Sequence, residues 1–363
     1  MSYAAEKSEH EAYITLLLRE ASQRCTEAEE PIRTVYIGGG TPSLLSPAMF
    51  RQLADGLNRI LGLNSVEEFT SEANPGTVTR EWLDTAVSVG VNRISFGMQA
   101  CQDHLLRILG RIHHFQDVCR SVQLARESGI ENINLDLIFG LPGQRMKDWM
   151  ESLEAALSLH PEHISAYGLI PEEGTPLFED LKNGGLSLPD PEDERQMYWN
   201  AVRILREYGY DQYEISNFAR KGYECRHNIG YWTQIPYIGL GVSAASMVHL
   251  RTGTGGMTCI RRVNPSSQEA YIRLTETDYS GVSVEKIAPH ESRFETLMLG
   301  LRMNDGISEE GFLRLHGVPV DKYYGSRLND MERKGLMIHK NGRWRMTERG
   351  FDIQNSILVE LMD

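Results

Sequence analysis

The chain has 363 residues, 41% hydrophobic and 24% charged, and a formal net charge of −13. This length leaves ample core volume for one large unit and one or two smaller ones. The acid excess is spread along the chain, which argues against general nucleic-acid binding. No apolar run approaches the roughly 18 residues needed to span a bilayer, and the first residues, MSYAAEKSEHEAY, lack the basic and apolar regions of a secretory signal. A cytoplasmic location is the expectation.

Residues 8–23 set Tyr13, Ile14, Leu16, Leu17 and Leu18 among charges, the pattern of an amphipathic helix. Strands and helices then alternate. The stretches Thr34–Ile37, Glu68–Glu72, Arg93–Phe96, Asn132–Ile138 and His163–Leu169 read as strands. The stretches Pro47–Leu61, Arg80–Ser88, Phe115–Glu127 and Met146–Ser158 read as helices. This repetition predicts an α/β fold, a parallel sheet of βα units in which ligands sit at the carboxyl ends of the strands. Polar and glycine residues gather at those ends: Gly39, Gly40 and Thr41, then Glu72 and Asn74, Gly97 and Gln99, and Asp136 and Gly140.

Past a proline-containing connector, Leu186–Pro191, a helix over Glu192–Tyr208 closes the α/β region. Tyr213–Phe218 and Gly239–Val248 read as strand or loop pieces, and residues 252–264, with three glycines, as a hairpin. Helices follow at His290–Met303, Ser308–His316 and Val320–Lys334. The ribbon Leu336–His339 then turns at Asn341-Gly342 into Trp344–Met346, a strong hairpin signal. Helices followed by such a wing predict a winged-helix-like end. Residues 308–346 carry no dense basic stripe, so its expected role is structural or partner-facing, without nucleic acid. The expected divisions are 1–189, 190–288 and 289–363.

Among candidate site residues, the Gly38–Gly40 loop offers backbone N–H groups to a ligand. Glu72 suits an ammonium or a ribose diol, or else caps a helix or faces solvent, and Gln99 carries the same ambiguity. Asp136 stands in an otherwise apolar strand, where an unpaired acid costs several kcal/mol, so it needs a partner or a ligand. Arg111 suits a carboxylate, or an exposed ion pair. The five cysteines, Cys25, Cys101, Cys119, Cys225 and Cys259, are odd in number and never stand in C-x-x-C or C-x-x-x-C spacing. Disulfides and a locally built metal centre are therefore disfavoured, and structural roles are expected, with Cys225 the exception.

The motifs GGGTPS (38–43), EANPGT (72–77), SFGMQ (95–99), LLRILGRIH (105–113) and DLIFGLPGQ (136–144) occur in order. Together they resemble the oxygen-independent coproporphyrinogen III oxidase-like family of radical S-adenosylmethionine proteins. HNIGYW (227–232) and the Asn74–Thr77 stretch are similar to its haem-chaperone branch, HemW. The resemblance implies a partial (β/α)6 TIM-like barrel, an accessory α+β region carrying HNxxYW, and the winged-helix-like end. It implies that Gly39, Gly40, Thr41, Glu72, Gln99, Arg111 and Asp136 bind S-adenosylmethionine, and that haem is delivered to an acceptor protein such as a respiratory enzyme, which brings passing contact with a membrane protein. His227, Cys225, Tyr231 and Trp232 are the haem-contact candidates; the bland alternative is that the motif locks a turn. A coproporphyrinogen-oxidase-like radical enzyme and a cluster-free scaffolding paralogue are the competing readings.

That family carries a Cys-x3-Cys-x2-Cys loop whose thiolates ligate a [4Fe–4S] cluster. Here the matching residues start at Ser2 and Tyr3, so the chain is expected to begin just past the triad. It would then lack both the cluster ligands and the first barrel strand, through a truncated reading frame, a misplaced start or a natural loss. On that reading no cluster is ligated by this chain, catalysis is uncertain, no catalytic residue is assigned, and Thr34–Ile37 becomes an exposed sheet edge.

Overall fold

Polar residues at every second position of five short strands dictate the architecture. The computed structural model describes residues 7–27, 30–251, 257–276 and 282–362. In chain order come α1 (Lys7–Arg24), β1 (Thr34–Ile37), α2 (Pro47–Leu61), β2 (Glu68–Ala73), α3 (Arg80–Ser88), β3 (Arg93–Gln99), α4 (Asp103–Ile108), α5 (Phe115–Glu127), β4 (Asn132–Phe139), α6 (Met146–Ser158) and β5 (His163–Gly168). Then follow α7 (Pro176–Lys182), α8 (Pro191–Glu207), β6 (Asp211–Glu214) and β7 (Asn217–Ala219). These strands form one seven-stranded half-barrel sheet in the order β1-β2-β3-β4-β5-β7-β6, with β1 to β5 parallel and β7 antiparallel to β5.

The apolar alternates Val35, Phe69, Ile94, Phe96, Ile133, Leu135, Leu137 and Ile164 face the helices. There they bury against Phe50, Trp82, Leu83, Val118, Trp149 and Leu153. The other alternates, among them Tyr36, Glu68, Thr70, Glu72, Arg93, Ser95, Asn134, Asp136, His163 and Ser165, line the concave side. A parallel sheet covered on both faces reads as continuous apolar runs, whereas alternation marks a sheet with one polar, cavity-lining face. Local chemistry fixes the helix ends. Ser46 accepts from the Met49 amide to start α2, and Gly62, at φ 64°, ends it.

The accessory region holds α9 (Arg226–Trp232), β8 (Ala245–Arg251), β9 (Met257–Val263), α10 (Gln268–Glu276) and β10 (Ser283–Lys286), the strands forming a three-stranded antiparallel sheet. The hairpin expected within residues 252–264 begins earlier: its arms are Ala245–Arg251 and Met257–Val263, and the intervening 252–256 lie outside the described residues. The C-terminal part holds α11 (Pro289–Gly300), β11 (Ile307–Ser308), α12 (Glu309–His316), α13 (Asp321–Arg333), β12 (Met337–Lys340), β13 (Arg343–Met346), α14 (Glu348–Asp352) and α15 (Gln354–Leu361). Leu297, Phe312, Tyr324, Leu328 and Trp344 form its core. The wing turns at Asn341 (φ 54°) and Gly342 (φ 68°), the paired positive φ of a type I′ turn.

Helix α1 is fastened to the accessory region by buried charge. The Glu20 carboxylate accepts from Arg24, Asn264 Nδ2, Tyr271 Oη and the Gly241 amide, while Arg24 donates to the Gly239 carbonyl and Ser246 Oγ. Helices α4, α7, α9, α10, α14 and α15 were not expected from the sequence. All are short, at most nine residues, a length at which periodicity carries little signal.

Candidate functional site

The carboxyl ends of β1 to β4 gather one set of polar side chains around the glycine loop. Gly39 adopts φ +78°, and a Cβ placed on Gly39 or Gly40 would meet nothing within 4 Å, so the loop presents bare backbone to open space. Gly38 is the opposite case: its Cβ would lie 2.6 Å from Glu72 Cδ and 2.7 Å from Tyr36 Cε1. The Glu72 carboxylate accepts from the Tyr36 hydroxyl at 2.8 Å and the Gly39 amide at 3.1 Å. Burial raises its pKa, the two hydrogen bonds oppose that, and nearby Asp136 adds to the rise. The partners Asp136 required are the Ser95 hydroxyl and Asn134 Nδ2, both at 2.8 Å.

Arg111 makes no ion pair among the described residues. Its Nη1 donates weakly to Asn74 Oδ1 at 3.4 Å, and Asn74 in turn donates to Thr41 Oγ1 at 2.8 Å. Gln99 sits at a β-bulge in the left-handed region, φ 63°, a strained conformation for a residue other than glycine. The structure thus brings Gly39, Gly40, Thr41, Glu72, Gln99, Arg111 and Asp136 to one end of the sheet.

Below the pocket lies a second polar layer that the strand-end reading passed over. His163 contacts Asn134 Oδ1 at 2.6 Å and Tyr213 Oη at 2.8 Å, and burial, with Arg93 nearby, holds it neutral. Arg93 is 2% exposed, and its Nε has no hydrogen-bond partner among the described residues. Glu68 accepts from the amides of Arg226 (2.8 Å) and His227 (3.1 Å) and from the Cys225 thiol (3.4 Å), so it anchors the first turn of α9. The signal was present: Glu68 and Thr70, Arg93 and Ser95, and Asn134 and Asp136 alternate with apolar residues.

The HNxxYW residues are therefore split. His227 Nδ1 lies 2.9 Å from Thr34 Oγ1 and its Nε2 2.9 Å from Tyr231 Oη, and its ring stacks on Tyr36 with centroids 5.2 Å apart and planes at 21°. Burial lowers the His227 pKa. Tyr231 is 37% exposed. Cys225 is fully buried and burial pushes its thiol up to about 11. Trp232 packs under the Arg302 guanidinium. Cys225 is therefore sealed against Glu68 and Trp232 under Arg302, while His227 and Tyr231 share the face of α9 that meets Thr34, Tyr36 and Tyr237. Strand β1 is the edge of the sheet, as the sequence reading expected, and α9 lies against its inward side chains Thr34 and Tyr36.

The cysteines stand apart on α1's end, after β3, on α5, before α9 and on β9. No group of three or more His, Cys, Asp or Glu side chains able to hold a metal forms among the described residues. These residues do not fit a [4Fe–4S] cluster. Among the described residues, no helix is long and apolar enough to cross a membrane.

The sequence matches the Radical SAM superfamily over residues 3–156 and the HemN C-terminal domain over residues 287–353. It is 37% identical to the haem chaperone HemW of Bacillus subtilis, across 98% of this chain and 92% of that protein. It is 33% identical to HemW of Escherichia coli over 96% and 89%. It is 32% identical to the mitochondrial radical S-adenosyl methionine domain-containing protein 1 of Danio rerio over 99% and 82%. Its fold is similar to that of the coproporphyrinogen III oxidase HemN of E. coli, with a TM-score of 0.80 at 19% identity over 99% of this chain and 84% of that one. With relatives this similar along nearly the whole sequence, the chain belongs to the HemW family of radical S-adenosylmethionine proteins.

Proposed function

We propose that the protein is a haem chaperone that binds S-adenosylmethionine in the strand-end pocket, carries haem on His227 and passes it to an acceptor such as a respiratory enzyme in the cytoplasm. The pocket's donor set suits the nucleotide. Glu72 matches an ammonium, Arg111, without an acidic partner among the described residues, matches a carboxylate, and Asp136 matches a ribose diol. When bound beside a reduced cluster, S-adenosylmethionine supplies a cleavable sulfonium; the described residues hold no cluster ligands, and no radical step is assigned to them.

The observation that carries the haem assignment is the setting of His227. Nδ1 lies on Thr34 Oγ1 and Nε2 on Tyr231 Oη, two hydroxyls that can each donate or accept. With the proton on Nδ1 the Nε2 lone pair is available to a haem iron, and the partly exposed Tyr231 phenol is the group that would move aside. Its lowered pKa keeps it neutral, the ligating form. Titration with ferric haem should give near-stoichiometric binding with a Soret shift that His227→Ala alters. An identical spectrum and affinity in the variant would remove His227 from the site.

A further inference from the structure

The two inward side chains of β1 both touch His227, and β1 runs directly into the glycine loop. Thr34 holds Nδ1, and Tyr36 lies flat on the ring. The same Tyr36 donates its hydroxyl to Glu72, the acid at the mouth of the nucleotide pocket. Tyr36 and Glu72 are packed so closely around Gly38 that a Cβ there would fall within 2.7 Å of both side chains. Tyr36 is thus a single rigid group in contact with both candidate ligand sites, with little room to move independently of either.

We propose that Tyr36 couples the two sites, so that S-adenosylmethionine in the pocket tightens haem binding at His227, and haem tightens S-adenosylmethionine by the same factor. This rests on the functional reading above. An ammonium paired with Glu72 holds that carboxylate ionised, and an ionised acceptor strengthens the Tyr36 hydrogen bond. A more firmly held Tyr36 fixes the imidazole plane, and a ligand group already oriented loses less freedom when it binds. Coupling of two equilibria is reciprocal by linkage. Tyr36 acts here through Glu72 and His227, as a positioning residue.

The test measures haem affinity by Soret titration with and without saturating S-adenosylmethionine, and S-adenosylmethionine affinity by calorimetry with and without haem. Wild-type protein should show about fivefold tightening in each direction, the low end of typical coupling. Tyr36→Phe keeps the stacked ring and loses only the hydroxyl. It should bind each ligand alone, with the coupling factor reduced to about one. Equal affinities with and without the other ligand in the wild type, or coupling that persists in Tyr36→Phe, would overturn the proposal. If His227→Ala binds haem unchanged, or if S-adenosylmethionine fails to bind at all, the functional reading itself fails and the coupling falls with it.

Discussion

Replacing Glu68 by Gln tests whether the floor of the half-barrel holds the HNxxYW helix in place. The native carboxylate accepts from two backbone amides of α9 and one thiol, and it is the carboxylate nearest the buried Arg93 guanidinium in its influence. Hydrogen bonds to a charged group contribute about 1.5–3 kcal/mol each. Glutamine keeps one carbonyl acceptor but turns an NH2 toward a donor and removes the charge facing Arg93, so a loss of about 3 kcal/mol is expected. For 363 residues the unfolding entropy is about 0.8 kcal/mol per kelvin, which sets a fall in Tm of about 4 °C if unfolding is one transition. The sharper assay is amide hydrogen exchange. If α9 opens locally, residues 226–232 should exchange about a hundredfold faster, while β3 and β4 stay protected. Unchanged exchange in α9 would refute the anchoring argument even if Tm fell.

Gly38→Ala should reduce S-adenosylmethionine affinity at least tenfold by calorimetry and also lower Tm, because the new methyl displaces the closely packed Glu72 and Tyr36. Gly40→Ala, with open space, should fold normally. Asn341→Val should lose about 1–2 kcal/mol in urea denaturation, since a β-branched residue resists the left-handed φ of 54°, whereas Asn341→Gly should be neutral. Acid should destabilise the fold through its buried histidines. Burial lowers the pKa of His163 and His227, and that of His316 to about 4. The unfolded chain then takes up protons below about pH 6.5 that the folded chain excludes, so stability present above that pH is lost as pH falls toward 4. His316→Gln should flatten this loss in a pH series of denaturation midpoints.

Much of the fold was legible because its signals are local. Val35 and Ile37 ahead of three glycines, Ser46 and Pro47 opening α2, and Asn341-Gly342 in the wing each specify their own conformation. Asp136 announced its need for partners by standing among Leu135, Leu137 and Ile138, and Ser95 and Asn134 meet it. What escaped depends on distant contacts. His227 rests on Thr34, 193 residues away in sequence, and Cys225 on Glu68, 157 away. No periodicity reports such pairings, so a motif that reads as an open ligand site includes a thiol sealed beneath a helix. The lower polar layer escaped for another reason: its strands were judged by their ends, although the alternation of Arg93 with Ser95 around Ile94, and of Asn134 with Asp136 around Leu135, was visible within them.

The buried carboxylate–guanidinium fastening between α1 and the accessory region sets an order on biosynthesis. Glu20 and Arg24 leave the ribosome early, but their partners Gly239, Gly241, Ser246, Asn264 and Tyr271 come more than 200 residues later. At roughly 5–20 residues per second, that interval lasts on the order of 10–50 seconds. During it the first helix can lay Ile14 and Ala21 on α2, but its two charged groups must stay hydrated. The opening segment of the chain is therefore among the last to settle. A nascent protein stalled before Tyr271 would present α1 incompletely docked, an early-synthesised element waiting on a late one.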